Sequence, residues 1–235
     1  LETPLYHFAV VVDDFEMQIS HVIRGEEHLS NTPRQILLQE ALDFYQPVYA
    51  HLPTVLNALG EKMSKRNGAK PVTQYREEGY LPDAMVNYLA RLGWSHGDDE
   101  IFSRAQFLDW FNLDHLGKSA AQFDEAKLPW VNAQHIKASS DEVLAPLVQT
   151  HLAQRGVTAD QRLPRICALF KDRCDTTVML ADWAAVFYAP VQPAAADLAQ
   201  HVTQAAKPAL ALLAEKLLLC TWDKAGIAAA LKEVL

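Results

Sequence analysis

Two short apolar runs with a capped helix between them limit this chain more than any other feature. Residues 19–23 (ISHVI) and 47–52 (PVYAHL) have the length and β-branched content of buried strands. Between them Asn31, Thr32 and Pro33 mark a helix start, since Asn31 or Thr32 can cap and Pro33 suits the first helical position. The helix is read through RQILLQEALDFY, with Ile36, Leu37, Leu38, Ala41 and Leu42 as its apolar stripe. Strand, helix and strand at this spacing predict a parallel sheet, because parallel neighbours need a crossover connection. Residues 6–12 (YHFAVVV) read as a further strand ahead of them, with Asp13 and Asp14 as the turn that ends it.

Beyond Gly68 the pattern is helical. A helix over 73–78 ends at Gly79, and Pro82 opens the next, with Met85, Tyr88, Leu89 and Leu92 at helical spacing. Ser103 suits the cap of a helix at RAQFLDWF, and 125–132 gives another. From about residue 140 onward only helical patterns remain, so the fold class is α/β followed by all-α. The shift at Ser139 and Ser140 is taken as a domain boundary.

The 235 residues suffice for one large or two modest domains, and 50% hydrophobic with 21% charged residues is an ordinary globular balance. No apolar run reaches the ~20 residues a membrane helix needs. The three cysteines, Cys167, Cys174 and Cys220, form no CxxC pair, so neither a zinc knuckle nor a disulfide framework is indicated and a reducing cytoplasm fits. A formal net charge of −8 means that any nucleic-acid contact must use local basic patches. Trp94, Trp130, Trp183 and Trp222 are read as core residues rather than base-stacking platforms.

One such patch is the loop Lys62, Met63, Ser64, Lys65, Arg66, set between Gly60 and Gly68. Cations on long stems and a hydroxyl on a glycine-flanked loop suit a polyphosphate, because ammonium groups can follow charge from ground state to transition state. By itself such a pentapeptide is more often a solvated basic turn.

Its neighbourhood carries a resemblance. YHFAVVVDD from Tyr6, HVIRGEEHL from His21, NTPRQ from Asn31, the KMSKR loop, GYLP from Gly79, NYLARLGW from Asn87 and FDEAKLPWVN from Phe123 occur in this order. Together they resemble bacterial glutamyl-tRNA synthetases, which are class I aminoacyl-tRNA synthetases. The likeness is specific over the first 137 residues and diffuse after that. It implies the second half of a Rossmann-type catalytic domain with the KMSKR loop at 1–70, a stem-contact helical region at 71–139 and an incomplete helical anticodon-binding domain at 140–235. It also implies a cytoplasmic ligase that forms glutamyl-adenylate from L-glutamate and ATP, then charges the 3′ end of tRNA(Glu). Mg²⁺ would accompany ATP, held by phosphates and water rather than by protein ligands. A monomer is expected.

The resemblance assigns roles residue by residue. Lys65 would stabilise the charge-rich phosphorus during adenylate formation, supported by Lys62, Ser64 and Arg66. Thr54 and Val55, after Pro53, fall where the backbone borders adenine, and His28 borders the adenylate. Tyr6, Arg24 and Glu27 fall in the glutamate site, where the guanidinium fork of Arg24 suits a planar carboxylate. Arg173 matches an arginine that senses the last anticodon base, by hydrogen bonds to a base edge or by stacking. Taken singly, each has an ordinary reading: a core tyrosine, a surface arginine, a solvated acidic turn, a structural histidine.

Two departures stand out. Val10 occupies a place where many relatives have Asn, and no HIGH-type tetrapeptide precedes the loop, since Ser95, His96, Gly97, Asp98 lies after it. The expectation is therefore of a partial chain that does not catalyse the whole reaction alone. Two other readings remain at this level: a binding module derived from a synthetase, and a paralogue that glutamylates a tRNA nucleoside. The helical stretch from 140 onward counts against the second, because such paralogues resemble only the catalytic part.

Overall fold

Parallel pairing of β1 (His21–Gly25) with β2 (Val48–Leu52) anchors the first part of the chain, with Arg24 opposite His51 and Val22 opposite Tyr49. The computed structural model describes residues 3–64 and 69–234. The crossover that joins the strands is α2 (Thr32–Ala41), with Pro33 in its first turn, as the sequence predicts. Its buried face differs from the expected stripe. Thr32, Gln35 and Gln39 are buried while Leu37 is exposed, because this face covers polar side chains of the sheet.

Residues 6–12 do not form a strand. They open α1 (Tyr6–Glu16), which runs on through Asp13 and Asp14, so the expected turn is absent too. The physical reason lies in the period. Val11 is buried, His7 stands four residues before it and Phe15 four after. His7 and Phe15 face α2 and its C-terminal flank: His7 Nδ1 lies 3.5 Å from Gln35 Nε2, and Phe15 stacks on Phe44 with centroids 3.8 Å apart. A stripe at i, i+4, i+8 is helical, and the run of β-branched residues masked it because one of its members is a histidine.

The helical part follows the expected order. Next come α3 (Val72–Glu77), α4 (Pro82–Ala90), α5 (Arg104–Trp110) and α6 (Lys127–Ala138). They continue into α7 (Asp141–Gln154), α8 (Leu163–Phe170), a 3-10 turn at Lys171–Arg173 and α9 (Thr177–Ala185). Their shared core includes Leu81, Tyr88, Ile136, Leu144, Val148, Leu152 and Leu180. Each fully buried aliphatic side chain here contributes about 1.5–3 kcal/mol relative to exposure. Of the tryptophans, Trp94 is buried as expected, whereas Trp130, Trp183 and Trp222 are exposed by 43%, 41% and 72%, so they are not core residues.

Cα packing divides the chain into Leu1–Tyr188 and Ala189–Leu235. The second unit holds α10 (Ala195–His201), α11 (Lys207–Leu219) and α12 (Lys224–Lys232). Asp223 caps α12 through the Gly226 N–H, and a Lys216–Glu233 ion pair links α11 to the end of α12.

Ser103 forms a reciprocal capping box with Gln106: its Oγ accepts the Gln106 N–H at 3.2 Å and its own N–H donates to Gln106 Oε1 at 2.8 Å. Ser103→Ala is expected to destabilise the protein by about 1 kcal/mol, read from the urea midpoint. An unchanged midpoint would show that α5 does not depend on this cap.

One buried histidine, His151, and one half-buried, His135, give the fold a pH dependence. His135 Nε2 lies 2.9 Å from Asn87 Oδ1, and His151 Nε2 lies 3.1 Å from Thr177 Oγ1. Burial lowers the pKa of both from the ordinary 6.5. In the unfolded chain they take up protons around that value, while the folded protein resists. Stability is therefore expected to hold above pH 6.5 and to fall as pH drops below it. Melting temperatures between about pH 7.5 and about pH 5.5 check this, and a midpoint that rises on acidification would contradict it.

Candidate functional site

The carboxyl ends of β1 and β2, with the loops that leave them, gather most of the expected site residues. Ligands of open α/β sheets bind at this end because the loops there present backbone and side chains to one crevice. Arg24 is the centre. One of its terminal nitrogens, Nη2, donates to Thr32 Oγ1 and to Gln35 Oε1, each at 2.7 Å. Its Nε lies 3.5 Å from His51 Nε2, and its guanidinium sits 5.3 Å from the centre of the Tyr49 ring. His51 Nε2 is in turn 3.0 Å from Thr32 Oγ1.

These partners share one character. Thr32, Gln35 and Tyr49 are neutral, and burial, then the neighbouring Arg24 charge, holds the His51 pKa below its ordinary 6.5, which favours the uncharged ring. The guanidinium is oriented by hydrogen bonds and an aromatic face while its charge meets no carboxylate among these contacts. An arrangement of that kind fits a carboxylate arriving from outside, since an ion pair gains most where the cation is already positioned and partly shielded from water.

Around Arg24 the loops are tied by acids. Glu26 Oε1 accepts the backbone N–H of Thr54 at 3.1 Å, which fixes the exit of β2 against the exit of β1. Glu27 faces Lys62 at 3.6 Å, an exposed pair worth little to stability. The Glu27 carboxyl is held below its ordinary value first by its own backbone N–H, then by the Lys62 charge. His28 Nδ1 lies 3.1 Å from Asn31 Nδ2, and the His28 carbonyl accepts from the Thr32 hydroxyl at 3.4 Å. The backbone of Val55 accepts from the Met63 N–H at 3.0 Å, and Leu56 bridges Lys62 in antiparallel fashion. The basic loop thus springs from beside the end of β2, and a 3.0 Å bond from the Ala69 N–H to the Ser64 carbonyl closes its neck.

The expected residues divide as follows. Arg24, Glu27, His28, Thr54, Val55, Lys62 and Ser64 lie on the two loops that leave the sheet or on the strand end itself. Lys65 and Arg66 lie outside the described residues. Tyr6 is the exposed first residue of α1, and its ring meets His7 edge-on at 5.2 Å. Arg173 is exposed at the end of the 3-10 turn Lys171–Arg173, on a separate element that packs against α6. The support given to Arg24 by Gln35, Tyr49 and His51 was not read from the sequence. Its signal was the strand register with period two and the i, i+3 pair Thr32 and Gln35 on α2. Among the described residues no group of three or more His, Cys, Asp or Glu could hold a metal ion, and no helix is long and apolar enough to cross a membrane.

The parallel strand pair carries an oriented arginine and the start of a basic loop at its carboxyl end, and helices follow. Residues 2–130 match the family described as tRNA synthetases class I (E and Q), catalytic domain, and residues 142–235 match an anticodon binding domain. The chain belongs to the class I tRNA synthetases of this glutamate and glutamine group.

Particular relatives are narrower. The chain is 75% identical over 233 residues to the glutamate–tRNA ligase of Albidiferax ferrireducens, covering 99% of this chain and 50% of that protein. It is 71% identical over 237 residues to the glutamate–tRNA ligase of Paracidovorax citrulli, with the same coverage. A crystal structure of a glutamate tRNA ligase from Elizabethkingia meningosepticum, in complex with its amino acid, superimposes with a TM-score of 0.79 at 31% identity, over 98% of this chain and 50% of that one. The chain spans about half the length of the curated relatives it matches.

Proposed function

We propose that this chain is the part of a glutamate–tRNA ligase that binds the glutamate side chain, the ATP phosphates and the anticodon. The observation that carries the reading is Arg24, a guanidinium oriented by Thr32, Gln35 and Tyr49 with no anionic partner among them. In the reaction the α-carboxylate oxygen of glutamate attacks the α-phosphorus of ATP, and the bond to the β-phosphate oxygen breaks, releasing pyrophosphate. The glutamyl group then passes from AMP to a hydroxyl of the terminal ribose of tRNA(Glu). Positioning and charge neutralisation serve such in-line displacement better than a general base does.

Arg24 would pair the side-chain carboxylate, with Tyr6 and Glu27 bordering the amino acid. Thr54 and Val55 would present backbone to adenine, with His28 beside the adenylate. Lys62, Ser64, Lys65 and Arg66 would follow the phosphates, and Lys65 would stabilise the transition state. Mg²⁺ arriving with ATP would neutralise phosphate charge. Arg173 would meet the anticodon, within helical regions divided at 71–139 and 140–235 behind a catalytic part at 1–70. The working unit is a cytoplasmic monomer.

The test is glutamate-dependent exchange of pyrophosphate into ATP by the full-length protein that carries this segment, with tRNA present. Exchange that glutamate supports, and that Lys65→Ala abolishes, is the expected result. Exchange at the wild-type level in Lys65→Ala would overturn the role of that lysine. A pure binding module would give none under any condition.

A further inference from the structure

Within the helical part a buried polar clip joins segments that are remote in sequence. Asn132, on α6, is fully buried. Its Oδ1 accepts the Leu81 N–H at 2.8 Å, at the start of α4. Its Nδ2 donates to the Asp175 carbonyl at 2.5 Å and lies 3.4 Å from the Gly79 carbonyl. That same Gly79 carbonyl accepts the Thr177 N–H at 2.9 Å and the Thr177 hydroxyl at 3.2 Å. One asparagine and one threonine therefore lock the 79–81 corner to the stretch 175–177.

Each end of the clip leads to a site of the proposed reaction. Asp175 stands two residues beyond Arg173. On the other side, Glu78 binds Lys70 Nζ through both carboxylate oxygens, at 3.0 and 3.1 Å, and Lys70 directly follows the neck that Ser64 and Ala69 close. The connection from Arg173 to the loop neck is thus a continuous series: Asp175, Asn132 and Thr177, Gly79, Glu78, Lys70. The Asn132 and Thr177 bonds to the 79–81 corner are buried and resist small displacements, because a stretched bond in an apolar setting leaves an unsatisfied group, whereas the Glu78–Lys70 pair lies at the surface.

We propose that Asn132 is a positioning residue that transmits engagement of a base at Arg173 to the phosphate-binding loop. The idea rests on the glutamate–tRNA ligase reading above. Asn132 touches no substrate; it fixes the 79–81 corner to the segment that carries Arg173, so that RNA held at one end bears on the neck formed by Ser64 and Ala69 at the other.

The experiment uses the full-length ligase and two tRNA(Glu) transcripts, one native and one with the last anticodon base changed. The readout is the ratio of their kcat/KM values for glutamylation. Asn132→Asp keeps size and the acceptor for Leu81, but sets a carboxylate against the Asp175 and Gly79 carbonyls. Thr177→Val keeps shape and the backbone bond to Gly79 while removing the hydroxyl, and serves if Asn132→Asp fails to fold. The ratio is expected to fall about tenfold in either variant, through kcat on the native tRNA. Equal losses on both transcripts, or a loss confined to KM, would overturn the proposal and leave the ligase reading intact. A wild-type ratio near one would instead remove the anticodon role of Arg173, and this proposal with it.

Discussion

Arg24→Ala in the full-length protein is expected to lower kcat/KM for glutamate by roughly two orders of magnitude, about 3 kcal/mol of transition-state binding. The size follows from the environment. Thr32 and Gln35 each hold Nη2 at 2.7 Å, and the Tyr49 ring lies 5.3 Å from the guanidinium, so the cation is set in place before any ligand arrives. A substrate carboxylate then loses a charge-assisted pair and is left desolvated against neutral groups. Arg24→Lys keeps the charge without the planar fork and should fall between the two, with the loss mostly in KM for glutamate. Pyrophosphate exchange at varied glutamate measures both variants. A kcat/KM for Arg24→Ala within about threefold of wild type would remove Arg24 from the glutamate site.

Gly79→Ala is expected to destabilise the protein by about 2–4 kcal/mol. Gly79 has φ +89°, where a side chain is strained, and a Cβ there would lie 2.6 Å from the Val178 backbone nitrogen. Backbone cannot swing aside as a flexible side chain can, so the 79–81 corner would have to move off α9 and break the bonds to Thr177. Gly60 is the control. It also has a positive φ, +78°, but a Cβ there meets nothing within 4 Å, so Gly60→Ala should cost only the backbone preference, about 1–2 kcal/mol. Urea unfolding of both variants decides the matter. Equal costs at Gly60 and Gly79 would show that the close approach to α9 is not rigid.

How much of this could be read from the sequence depended on whether the signal was local. The parallel pair and its crossover were legible because strand length, the Asn-Thr-Pro start and the spacing agree at one place. The Gly79 stop and the Ser103 cap were legible for the same reason. Residues 6–12 were misread because His7, Val11 and Phe15 form a helical stripe that only the packing against α2 and Phe44 makes evident. The polar face of α2 was misread because its burial is set by Arg24 and Tyr49 on the neighbouring strands. Within the site, Arg24, Glu27 and Lys62 were named from a motif order, whereas Gln35, Tyr49 and His51 enter only through sheet register. Trp222 shows the same limit at the other end of the chain: its indole N–H donates to the Leu217 carbonyl at 2.8 Å while its ring stays exposed, which composition cannot foretell.

Where glutamate is attached decides the central claim. Full-length protein is incubated with ATP, radiolabelled glutamate and tRNA, either intact or first oxidised with periodate to destroy the terminal ribose diol. A glutamate–tRNA ligase labels intact tRNA through an alkali-labile ester and leaves oxidised tRNA unlabelled. Label that persists on oxidised tRNA would place the glutamyl group on an internal nucleoside and contradict the account.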